Sequence, residues 1–200
     1  MAVKSSLKNM LFCLGGVTFV CALLLGIVHY VTLEPIKLAK AAKEKAAIAS
    51  VSPRFARVRK ADVENCSITL SARGDTVCYV IKSASDGFGG AVEIITGFLP
   101  DGKIYRTEVL SQNETPGLGA KCGEKGFLSQ FNSFDTASGN LAVKKDGGDV
   151  DAITAATITS RAYCQALRNA TDIFEKVRPV LPEPVDSLAT ATVMEESDYE

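Results

Sequence analysis

A small α+β domain behind a single membrane-spanning helix is the fold that the sequence predicts, on three observations. Residues 11–31, "LFCLGGVTFVCALLLGIVHYV", form an uncharged apolar run of bilayer length. Runs rich in β-formers, separated by glycine-rich turns, fill Thr76 to Ser111. Between Ser160 and Val177 the apolar residues recur at helical spacing. Strands followed by one amphipathic helix make a two-layer unit.

The N-terminal run crosses a hydrocarbon core at about 1.5 Å per residue. A cleaved leader is the alternative, and Ala39 to Ala41 offers it a small-residue site, but the apolar core is longer than a leader needs. A retained anchor over 11–31, with a short N-terminus over 1–10, is therefore the reading. Lysines do not orient it: Lys4 and Lys8 precede the span, while Lys37, Lys40, Lys43 and Lys45 follow, partly offset by Glu34 and Glu44.

Residues 32–75 are read as a stalk helix and an entry segment. The Ala/Lys/Glu-rich stretch from Pro35 to Ser50 is the helix, with Pro53 marking its end. A domain over 76–178 follows. "TVCYVIKSA" (Thr76 to Ala84) is a strand broken by "DGFGG", and "AVEIITGFL" and "KIYRTEVLS" flank Pro100-Asp101-Gly102 as a hairpin. Next come a glycine-rich loop over 112–126 and a short amphipathic piece, "FLSQF". "NLAVKKDGGDVDAI" is read as a further strand with an Asp-Gly-Gly turn. The long helix follows, its apolar face formed by Ala162, Ala166, Leu167, Ala170, Ile173, Phe174 and Val177, and Pro179 stops it. Residues 179–200, with three prolines and an acidic end, are expected to be a flexible tail.

Composition narrows the function. The net charge is −1 with no basic block, which argues against a nucleic-acid partner. One histidine, His29, rules out a His-rich metal site, and six cysteines without CxxC or other ligand spacing argue against zinc or iron–sulfur ligation within this chain. Cys13 and Cys21 lie in the apolar run as small hydrophobes. Cys66, Cys78, Cys122 and Cys164 either pair, if the domain lies outside the cytoplasm, or stay buried as thiols. No side chain reads as a general acid or base, so no catalytic residue is assigned.

The density of hydroxyls in "DAITAATITSRA" (Asp151 to Ala162) needs explaining. Thr159 or Ser160 as an N-cap accounts for one of them. Thr154 and Thr157 then have no task. The same helix start can instead seat a phosphate on free N–H groups, with Ala155 and Ala156 allowing close approach.

That stretch resembles the flavin-attachment motif of the FMN-binding domain family, Asp-x-x-Ser/Thr-Gly/Ala-Ala-Thr-x-Thr/Ser. By position, Asp151 and Thr154 lead the motif, and Ala155, Ala156, Ile158 and Thr159 surround the attachment residue. The resemblance implies FMN carried covalently on Thr157 through a phosphoester, installed by a flavin transferase from FAD with magnesium. Ala155 stands where glycine is common.

"NETPGLGAK" (Asn113 to Lys121) also resembles the loop of Rnf-type G subunits and of the related C subunits of sodium-translocating NADH:quinone reductases. The resemblance implies that Gly117 and Gly119 let the backbone and Leu118 approach a flat ring, with Glu114 and Thr115 offering polar contacts to its edge. As a plain reading the loop is a punctuated turn. The implied protein is a single-pass inner-membrane flavoprotein, N-terminus cytoplasmic and FMN domain extracytoplasmic. It would relay electrons among the other subunits of an ion-translocating complex. The quinone-reductase subunit and a cofactor-free tethered scaffold are the alternatives.

Overall fold

The computed structural model describes residues 7–61 and 63–178; the C-terminal tail read from 179–200 lies outside them. The chain divides into two units at Lys45/Ala46. The first helix, α1, runs unbroken over Leu7–Ser50. Its apolar side chains are exposed all round, Phe12 by 81% and Leu25 by 71%. The span and the stalk are thus one helix, and Pro35 lies inside it rather than at the start of a second one. Just before the proline, the Thr32 hydroxyl donates to the Val28 carbonyl at 2.7 Å, a local bond that costs the helix no partner. The helix ends three residues before Pro53, as predicted.

A six-stranded antiparallel meander follows: β1 (Arg57–Lys60), β2 (Cys66–Leu70), β3 (Thr76–Asp86), β4 (Ala91–Phe98), β5 (Lys103–Ser111) and β6 (Phe134–Asp135), each paired with the next. β3 to β5 fall where the alternation and the Pro-Asp-Gly turn place them. Gly102 closes that turn at φ +95°, a conformation that suits glycine. β1 and β2 form within the stretch read as an unpatterned entry segment.

Side chains alternate across the sheet. One face (Ile68, Tyr79, Ile81, Val92, Ile94, Phe98 and Ile104) packs under the long helix α3 (Thr157–Val177). The other (Cys78, Val80 and Ile95) is covered by Ala47, Ile48 and Val51. Gly97 permits this cover, because a Cβ there would lie 1.8 Å from the Val51 carbonyl oxygen.

α2 (Lys125–Leu128) follows a 3-10 turn over Gly119–Gly123, and α3 spans Thr157–Val177. Phe174 stacks on Phe98 at 5.0 Å and meets Tyr79 edge-on at 5.3 Å. Tyr163, fully buried, packs against Phe127 and Phe131 and shares a 2.8 Å hydrogen bond with the Thr107 hydroxyl on β5.

The strand predicted over Asn140 to Ile153 does not form. Val143 and Val150 make only an isolated parallel bridge around a 3-10 turn, Lys144–Asp146, and left-handed Gly147. Leu141 and Val143 are buried alternately, but the Lys-Lys-Asp-Gly-Gly run after them has no apolar face to continue a ladder. All six cysteines are free thiols, with Cys66, Cys78, Cys122 and Cys164 buried. Burial pushes the Cys66, Cys122 and Cys164 thiols up to about 11 and Cys78 up to about 12.

Candidate functional site

α3 begins three residues earlier than its periodicity suggests, and it begins without a cap. Ala156 is the N-cap residue, and no side chain there or nearby bonds the first amides. The backbone reaches it through a turn in which the Ala156 amide donates to the Ile153 carbonyl at 3.0 Å, with Ala155 held at φ +61°. That left-handed conformation costs an alanine about 1–2 kcal/mol and a glycine almost nothing.

The two residues expected to cap lie inside the helix and do other things. Thr159 donates its hydroxyl to Oε2 of Glu114 at 2.7 Å. The Ser160 hydroxyl accepts the Ile153 amide at 2.9 Å and donates to the Ala156 carbonyl at 3.0 Å, bracing the turn that enters the helix. Among the described residues, the amides of Thr157, Ile158 and Thr159 have no hydrogen-bond partner. Three open donors at the positive end of a 21-residue helix favour an anion.

These amides border a cleft of about 400 Å³ lined by Phe88, Glu114, Thr115, Leu118, Gly119 and residues 155–159. Its apolar wall is open to solvent. Phe88 is 71% exposed, Ile158 52% and Leu118 43%, a trio that a flat apolar partner would cover. Pro116 and Gly117 turn the loop beside it, so that the Leu118 and Ala120 amides both donate to the Thr115 carbonyl, at 3.1 and 3.2 Å.

Nine of the sequence-predicted residues therefore share one cleft: Glu114, Thr115, Leu118, Gly119, Ala155, Ala156, Thr157, Ile158 and Thr159. Three do not line it. Gly117 sits at φ +77° with open space where a side chain would project, so it serves the turn. Thr154 and Asp151 border a separate depression with Lys121 and Glu124. Asp151 is an exposed partner of Lys144 at 2.8 Å, and its backbone is held by Gln130.

Glu114 is buried, and its carboxylate oxygens are engaged by the chain itself, through the Gly89 amide at 3.0 Å and the Thr159 hydroxyl. Phe88 is the lining residue that sequence reasoning does not single out. An aromatic side chain in a glycine-rich turn between two strands, where no core needs it, is the available signal.

The FMN-binding domain family matches residues 87–172, a span that includes the whole of this cleft. That match, with an N-terminal helix long and apolar enough to cross a membrane, gives the class, a membrane-anchored protein with an FMN-binding domain. The G subunit of an ion-translocating oxidoreductase complex of Erwinia tasmaniensis is 33% identical over 188 residues, covering 84% of this chain and 87% of the relative. The chain belongs to the family of G subunits of ion-translocating oxidoreductase complexes.

The G subunit of the proton-translocating ferredoxin:NAD(+) oxidoreductase complex of Clostridium ljungdahlii is 39% identical over 100 residues, 48% of this chain and 53% of that one. Among solved structures, the C subunit of the Na(+)-translocating NADH-quinone reductase of Parabacteroides distasonis aligns with a TM-score of 0.47 and 23% identity, covering 56% of this chain and 62% of that one.

Proposed function

We propose that the chain is the flavoprotein subunit of an Rnf-type ion-translocating complex, with FMN joined to Thr157 through a phosphoester and the domain on the extracytoplasmic side of an inner membrane. The observation that carries this reading is the uncapped start of α3. A side-chain cap would normally fill those amides; here they stay open beside a half-buried threonine hydroxyl at the lip of an apolar cleft. A phosphate on Thr157 meets those donors and the helix dipole together.

The residues present fit the group. Thr157 and the amides of 157–159 would hold its phosphate, and Phe88, Leu118 and Ile158 would cover its ring. Thr115 and Gly119 lie alongside. When bound, FMN supplies the capacity to accept and pass on electrons, and the chain supplies attachment, orientation and exclusion of water. Partner subunits would exchange electrons with it, and a flavin transferase would load it during maturation from FAD with magnesium.

The test is intact mass of the full chain made with and without a flavin transferase. The parent gains the mass of FMN less one water, stable to denaturation. Thr157→Ala gains nothing yet melts within about 1 kcal/mol of the parent, because a half-exposed hydroxyl outside the hydrogen-bond network contributes little to the fold. Covalent flavin on Thr157→Ala, or a flavin peptide mapping to Thr154 or Thr159, refutes the assignment.

A further inference from the structure

Glu114 is an expensive residue to bury. Only 6% of it is exposed, and its two donors come from segments 25 residues before it and 45 residues after it. Burying a carboxylate is costly unless several donors compensate, and an apolar residue could fill the same space at less cost. The surroundings nevertheless make room for it. A Cβ on Gly87 would lie 2.2 Å from Oε1, and one on Gly119 would lie 2.5 Å from Oε2. A Cβ on Gly89 would meet the Asn113 carbonyl at 2.1 Å, so Gly89 reaches the carboxylate only because it has no side chain.

We propose that Glu114 is the positioning residue of the FMN site. Its carboxylate ties the first turn of α3 to the β3–β4 turn, fixing Thr157 and its open amides relative to Phe88. Among the described residues no other hydrogen bond joins residues 87–90 to residues 153–160. One end of the tie sits two residues beyond Thr157 and the other one residue beyond Phe88, so the phosphate seat and the apolar wall are set by the same group. The negative charge suits its place beside a helix N-terminus, and both bonds are charge-assisted. This assignment rests on the FMN reading for its purpose, but the tie itself is a property of the unloaded chain.

The test uses the full chain in detergent and two readouts. The first is hydrogen exchange at the Gly89 amide without flavin, in Thr159→Val and Thr159→Ser. Thr159 does not bond Gly89, so faster exchange in the valine variant and restoration in the serine variant reports the tie through Glu114. The second is the rate of FMN attachment by a flavin transferase supplied with FAD and magnesium.

Because an ångström of misplacement costs a reacting geometry about a hundredfold, attachment is expected to slow at least tenfold in Glu114→Ala and in Thr159→Val. Glu114→Gln keeps an acceptor for Gly89 and can donate to Thr159, so it stays within about threefold of the parent. Unchanged Gly89 exchange in Thr159→Val, parental attachment in a folded Glu114→Ala, or a glutamine variant as poor as the alanine one overturns the proposal. A parent chain that accepts no FMN refutes the functional reading instead, while the Gly89 exchange still decides the tie.

Discussion

Gly119→Ala is a small change with a large collision. The new methyl would lie 2.5 Å from Oε2 of Glu114 and 2.6 Å from Oγ1 of Thr159, whereas ordinary contact begins at 3.4 Å. Both oxygens must retreat by roughly 0.8–0.9 Å, which breaks or badly stretches the 2.7 Å bond between them. Loss of one charge-assisted bond to a buried carboxylate costs about 1.5–3 kcal/mol. The substitution also stiffens the unfolded chain, which returns about 0.4–1 kcal/mol where φ is compatible.

The net expectation is a loss of about 1–2 kcal/mol, or roughly 3–8 °C in Tm for a domain of this size. Gly126→Ala is the matched control, since nothing lies within 4 Å of a Cβ there and it sits in α2, where alanine is the better helix former. Thermal denaturation of both variants in the unloaded full chain decides the matter. A Gly119→Ala chain as stable as Gly126→Ala would show that the carboxylate is not confined as described.

Burial sets two further outcomes. The thiols of Cys66, Cys78, Cys122 and Cys164 are raised by burial from the ordinary 9.0 to about 11 or 12, so between these values the unfolded chain releases protons that the folded chain keeps. Stability is therefore fully present below pH 9 and lost as pH climbs toward 11–12; denaturant midpoints that stay flat from pH 8 to 11 would contradict this. Phe88→Ala should leave the melting temperature of the unloaded chain nearly unchanged, within about 0.5 kcal/mol, because the ring is largely exposed. Its loaded form should show flavin fluorescence more open to iodide quenching, and an unchanged quenching constant would remove Phe88 from the site.

The sequence is readable where a local pattern is enough. β3 to β5 have β-rich runs and a hairpin turn, and α3 has an apolar stripe extended by Tyr163 and Cys164. β1 is not readable, because all four of its residues are exposed and an edge strand with no buried face has no alternation to show. Hydroxyls read as caps put the start of α3 too late, whereas Thr159 and Ser160 bond groups 45 and 7 residues away. The same limit applies to the cleft. Two motifs supply its backbone, but Phe88 and the engagement of Glu114 depend on a turn 25 residues distant in sequence. Asp151 and Thr154, grouped with Thr157 through the attachment-motif resemblance, border a different depression, on the far side of the bend at Ala155.

The Tyr163 hydroxyl acts as a key that fixes how α3 is seated. It is fully buried, and its partner is the Thr107 hydroxyl on β5, which in turn bonds the Ile95 carbonyl on β4. A helix slid by one residue or rolled by a third of a turn would strand that hydroxyl in an apolar interior, at a penalty of about 1–3 kcal/mol. Hydrophobic contacts alone tolerate such slippage far better, being non-directional. Thr157 lies six residues, or about 9 Å, upstream on the same rigid rod, so its height and bearing over the sheet are indexed by a lock buried in the core.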